Sequence, residues 1–168
     1  MKLWDKGYSI DTTIERFTVG KDKELDLLLA PYDILGTIAH ITMLEHVGLL
    51  SKADLDVLLP ALRELYKQAE AGNFVIEDGI EDVHSQVELM LTRQLGEVGK
   101  KVHTGRSRND QVLVDLKIFT RAEIEKTIGL VERLFKVLQA RSEESKALLM
   151  PGYTHLQVAM PSSFGLWL

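Results

Sequence analysis

Apolar positions recur three and four residues apart along most of this chain, the spacing of one face of an α-helix. In PYDILGTIAHITMLEHVGLL, residues 31–50, Ile34, Leu35, Ile38, Ile41 and Leu44 follow it. Pro31 suits a first helical turn, where its missing N–H has no partner to lose, and Gly48 is placed to end the helix. Ser51 and Asp54 make an S-x-x-D cap for a second helix. Its stripe of Leu55, Leu58, Leu59, Leu62, Leu65 and Tyr66 runs to a turn at Ala71-Gly72-Asn73. Pro60 falls inside that stripe and is expected to kink or split it.

Residues 80–98 predict a third helix with Val83, Val87, Leu91 and Leu95 on one face. The longest pattern runs from about Val112 to Leu149, through Leu113, Leu116, Ile124, Ile128, Val131, Phe135 and Leu138. At about 1.5 Å per residue this helix exceeds the usual globular length. Phe119, Leu130, Leu134 and Val137 widen its apolar surface. It therefore expects neighbours on more than one side, more than this chain supplies, and self-association follows. MPSSFGLWL can start a helix capped by Ser162 or Ser163, but the run after it is short, as if the chain had been cut. Strand-like alternation is scarce. The expected fold is all-α, with an N-terminal helical domain over residues 1–107 and the start of a long-helix bundle domain over 108–168.

Composition narrows the function classes. A net charge of −5 argues against a nucleic-acid partner, which needs a basic face. The absence of cysteine removes disulfides, thiolate nucleophiles and cysteine metal sites. MKLWDKGYSIDTT has no apolar core of signal-peptide length, and runs such as LLLA at 27–30 are too short to span a bilayer. A cytoplasmic protein without a membrane partner is expected.

Three polar clusters stand out. HTGRSRNDQV, residues 103–112, packs histidine, two arginines, asparagine and aspartate into a loop entering a helix. Unpaired N–H groups, the helix dipole and guanidinium groups there suit an anion such as a carboxylate, and Asp110 reads as a cap. A solvated connection with capping residues is the alternative. PGYTHLQVAMPSSFG, residues 151–165, begins with a turn at Pro151-Gly152 and brackets Thr154, His155 and Gln157 with apolar residues. That bracketing predicts a partly buried histidine, able to move a proton or simply a core histidine. In EDGIEDVHSQVE, residues 77–88, His84 and Glu88 are four apart and can pair on one helix face, after an acidic run that reads as a solvated loop. The histidines at 40, 46, 84, 103 and 155 show no metal-binding spacing, and neither a phosphate loop nor a G-x-S-x-G elbow occurs. No metal and no cofactor is expected.

Taken in order, these clusters resemble argininosuccinate lyase, of the fumarase/aspartase superfamily. HTGRSRNDQV is close to that family's signature, PGYTHLQVAMPSSFG resembles its second, EDVHSQVE its Asp-Ile-His segment, and DILGTIAHITMLEHVGLL its early helix. The resemblance implies reversible β-elimination of argininosuccinate to arginine and fumarate, in arginine biosynthesis. It implies that Ser107, Arg108 and Asn109 contact substrate and that Thr154 binds a substrate carboxylate. His155 is then the acid/base histidine, His84 lies close to the site, and Gln157 completes a Thr-His-x-Gln pattern. It further implies a homotetramer with active sites shared among subunits. The family's Gly-Ser-Ser-x-Met-Pro-type loop, with its catalytic serine, is absent, so the chain is expected to be an N-terminal fragment, inactive alone. LWDKGYS and the Gly20 region of FTVGKDKE depart from the family pattern, at a substrate contact. A catalytically silent, crystallin-like homologue and a sibling lyase acting on another fumarate adduct are the alternatives.

Overall fold

Helix α1 (Asp22–His46) begins well before the expected start at Pro31, which lies inside it. The polar run Lys21–Glu24 supplies the start instead, with Asp22 and Glu24 in the first turn, where the helix dipole favours them. The computed structural model describes Thr13, Ile14, Phe17 and residues 20–168. The departure at LWDKGYS lies outside the described residues. The chain divides into two compact units, Met1–Phe119 and Thr120–Leu168.

In the first unit, α1 packs on α2 (Lys52–Glu70) and on α3 (Val83–Leu95). Ser51 caps α2 as expected, its hydroxyl accepting from the Asp54 amide at 3.1 Å. Pro60 does not split α2, which continues through it from Lys52 to Glu70. Ile34, Ile41 and Leu44 of α1, Leu58 and Leu62 of α2, and Val83 and Leu91 of α3 form a continuous buried core. Leu35, expected there, is exposed because the face of α1 toward its neighbours runs through Asp33, Gly36 and Thr37 instead. By length and composition α1 could span a membrane. Its buried Asp33 and Thr37 and its packing on two helices mark it as the core helix of this unit.

A short helix α4 (Glu97–Lys100) and a 3-10 turn (Lys101–His103) lead from α3 to α5 (Arg108–Ser145). Gly99 makes that turn possible: a Cβ there would sit 2.4 Å from the Leu91 carbonyl carbon and 2.5 Å from its oxygen. Backbone cannot move aside as a side-chain tip can. Gly99→Ala is expected to destabilise the chain by about 1–2 kcal/mol, read as a lower midpoint in urea.

The second unit holds the rest of α5, the strands β1 (Leu149–Thr154) and β2 (Gln157–Ser163), and a short α6 (Phe164–Trp167). The hairpin was not anticipated, and the chain reverses at His155-Leu156 rather than at Pro151-Gly152. Both turn residues have positive φ, 48° and 62°, which twists the two strands compatibly. Pro151 pairs with Pro161, tolerable because both strands of a two-stranded ribbon are edges. Gly152 sits at the irregular register, where a Cβ would lie 2.7 Å from the Met160 carbonyl oxygen. Ser163 caps α6, as expected of Ser162 or Ser163, by accepting from the Leu166 amide.

Candidate active site

Three elements of the first unit converge on one buried polar cluster. Asp33, Gly36 and Thr37 come from α1, His84 from the first turn of α3, and Gln111 and Asp115 from the start of α5. Asp33 and Thr37 are four apart, as are Gln111 and Asp115, so each pair shares one helix face. Gly36 lets the helices approach: a Cβ there would come within 3.3 Å of Asp115 Oδ1 and of Val114.

His84 is buried, with Nδ1 2.9 Å from Asp33 Oδ1 and 3.7 Å from Asp115 Oδ2. It pairs with α1 rather than with Glu88 on its own helix. Gln111 donates its amide to the same Asp33 oxygen. Burial works against the charged imidazole, but the bond and charge of Asp33 outweigh it and raise the pKa of His84. Burial, reinforced by the charge of Asp33, pushes Asp115 up to about 7, with His84 and Arg106 opposing. Among the described residues no donor reaches either Asp115 oxygen or Asp33 Oδ2.

The loop HTGRSRNDQ closes over this cluster. Arg106 Nη1 donates to the Thr37 hydroxyl at 3.1 Å, and burial lowers its pKa. Arg108 pairs with Asp82 and donates to the Ser85 hydroxyl at 3.0 Å, tying the start of α5 to the start of α3. Asp82 also caps α3 by accepting from the Ser85 amide at 2.7 Å. Burial alone would raise the Asp82 carboxyl, yet the Ser85 amide and the Arg108 guanidinium hold it below the usual carboxylate range. Ser107 and Asp110 form a reciprocal cap: Ser107 Oγ accepts from the Asn109 amide, and Asp110 accepts from the Ser107 amide. Ser107 and Asn109 remain exposed, and Arg108 is half-buried.

The acidic run before α3 is more than a solvated loop. The Glu77 carboxylate accepts from both terminal guanidinium nitrogens of Arg93 and from the Gln86 side-chain amide. This fixes the approach to Asp82 and His84.

Thr154, His155 and Gln157 belong to the second unit, where they form the tip of the hairpin and its first cross-strand pair. All three are exposed, so His155 is not the partly buried histidine its neighbours suggested. Alternation along a strand sends those apolar neighbours to different faces.

Arg106 is one of the two arginines of the HTGRSRNDQV cluster, whereas Asp33 and Asp115 were not singled out by the sequence. Their signal was a polar residue at helical spacing within an apolar stripe, as with Asp33, Thr37 and Ile41. Asp33, His84 and Asp115 bring potential metal-ligand atoms within 4.8 Å of one another. Yet Gln111 and His84 both address one Asp33 oxygen, which is the arrangement of a hydrogen-bonded network rather than of a cation cage.

The sequence matches the lyase family over residues 10–168. It is 65% identical over 166 residues to the argininosuccinate lyase of Phocaeicola vulgatus, covering 99% of this chain and 37% of that protein. It is 45% identical to the argininosuccinate lyase of Methylococcus capsulatus, covering 98% of this chain and 35% of that protein. The chain thus spans little more than a third of the length of these curated relatives. Among solved structures it is similar to beta-carboxy-cis,cis-muconate cycloisomerase from Acinetobacter calcoaceticus sp. ADP1, with a TM-score of 0.62 and 18% identity. That match covers 82% of this chain and 33% of the other, and bears on the fold alone.

Proposed function

Because the chain belongs to the lyase family, we propose that it forms the N-terminal part of an argininosuccinate lyase, acting in the cytoplasm in arginine biosynthesis. The reaction is the reversible β-elimination of argininosuccinate to arginine and fumarate. The observation that carries this reading is the HTGRSRNDQ loop, intact in sequence and clamped by Arg108 against the helix that bears His84.

In this proposal Ser107 and Asn109 present exposed hydrogen-bonding groups to substrate at the start of α5, where the helix dipole favours a carboxylate. Arg108 contributes charge beside that contact and holds the loop in place. His84 borders the bound substrate. Thr154 takes a carboxylate, Gln157 supports the hairpin tip, and His155 transfers a proton. A base removes the proton next to a carboxylate, hydrogen bonds and positive charge stabilise the carbanion, and an acid assists departure of the guanidinium.

Residues 1–107 would form the N-terminal helical domain and 108–168 the beginning of the central bundle. The apolar face of α5, with Ile124, Ile128, Val131 and Phe135 exposed, supports assembly into a homotetramer with shared active sites. Fumarate release by the full-length protein, assayed with argininosuccinate and with adenylosuccinate, tests the reading. Release from argininosuccinate is expected. Release from adenylosuccinate alone points to a sibling lyase, and turnover of neither points to a catalytically silent homologue.

A further inference from the structure

Asp33 is an expensive residue to place on a core helix. A carboxylate removed from water costs several kcal/mol unless its partners are well arranged, and an apolar side chain often serves stability as well or better. Asp33 is 0% exposed, yet its partners come from two other helices and meet on one oxygen. His84, at 8%, is the cluster's only histidine and retains some exposure. The hydrogen bond made by one imidazole nitrogen sets which nitrogen carries the proton and how the ring is aimed.

We propose that Asp33 is a positioning residue: its buried carboxylate accepts the Nδ1–H of His84, pins the ring, and leaves Nε2 to address substrate. The inference rests on the reading above, in which His84 borders argininosuccinate. Gln111 steadies the carboxylate, and Asp115 stands beside the same Nδ1. Four carboxyl groups face His84: Asp33 and Asp26 from α1, Asp82 at the start of its own helix, and Asp115 from α5. The Arg106 guanidinium faces Asp33 and Asp115 from the loop. Of these carboxyl groups, Asp33 makes the hydrogen bond to the ring.

The test combines nitrogen-15 NMR of the His84 ring in the full-length protein with kinetics of Asp33→Asn. Asparagine keeps the shape and can still accept from Nδ1–H and Gln111, but it removes the charge. In the parent protein the His84 proton is expected on Nδ1. In Asp33→Asn the ring's titration midpoint should fall by about one pH unit or more. Its kcat should fall roughly 10- to 100-fold with little change in KM, the size reported for loss of a group that orients a reacting or ligating side chain.

A neutral ring carrying its proton on Nε2 in the parent overturns the proposal without reference to any variant. So does an Asp33→Asn protein with unchanged midpoint and kcat. If the variant does not fold, the parent's tautomer alone decides. Absence of argininosuccinate turnover in the parent, with the Nδ1 proton in place, sinks the lyase reading and leaves the Asp33–His84 pair standing.

Discussion

Replacing His155 in the full-length protein is expected to lower kcat for argininosuccinate by about 10²- to 10⁴-fold, the usual worth of a positioned acid or base. The position is well suited to a clean test. His155 is exposed at the tip of a two-residue hairpin turn, outside the buried core of the first unit. Its backbone is the complication. At φ 48° alanine is strained by about 1–2 kcal/mol, whereas asparagine tolerates the left-handed region. His155→Asn therefore keeps the turn and removes only the ring proposed to transfer the proton. Both variants should lose activity to a similar degree, and His155→Asn should melt close to the parent. An active His155→Asn protein would remove His155 from the chemistry and leave it a turn residue. An inactive alanine variant beside an active asparagine variant would say the same, because turn geometry would then be what mattered.

Much of the fold was legible because three helices of the first unit bury the stripes their sequences display. Leu58 and Leu62, or Val83, Val87 and Leu91, are apolar at helical spacing and lie inside. The start of α5 is where that logic inverted. Its conspicuous apolar residues, Leu113 and Leu116, are exposed, and the face it buries carries Gln111 and Asp115. A pattern search reads apolar positions as inward, so it selected the exposed face of this helix and missed the buried face that carries the candidate site. The hairpin escaped for a related reason. Its turn is His-Leu rather than an Asn-Gly or Asp-Gly pair, and Pro151-Gly152 read as a turn where the chain in fact runs on as a strand.

The candidate site was legible in part. The loop HTGRSRNDQ and His84 announced themselves by composition and by resemblance. The partner of His84 did not, because Asp33 precedes it by 51 residues. Local spacing offered Glu88, four residues along the same helix. Tertiary packing supplied instead a carboxylate already desolvated, to which a buried imidazole bonds more strongly than to a solvated one.

The carboxyl group on the far side of this cluster should govern how the chain's stability depends on pH. Asp115 is held at about 7, against an ordinary 3.8. Between those values the folded chain keeps a proton that the unfolded chain has released, so stability falls as pH rises across that window. The direction is therefore a progressive loss of stability from pH 4 to pH 8, caused by burial of the Asp115 carboxyl beside Asp33. His84 acts in the same direction. Its raised pKa gives stability that is fully present below 6.5 and lost as pH rises through the folded value. Asp82 acts oppositely, since its depressed pKa gives stability that is lost on acidification. Asp115→Asn isolates one contribution, because the amide has no carboxyl proton to lose in this range. Urea unfolding of the chain and of Asp115→Asn across pH 4 to 8 should therefore give diverging curves, close at pH 4 and with the variant ahead at pH 8. Parallel curves would mean that Asp115 is ionised throughout the range, balanced by His84 and Arg106, and that the buried cluster carries its full negative charge.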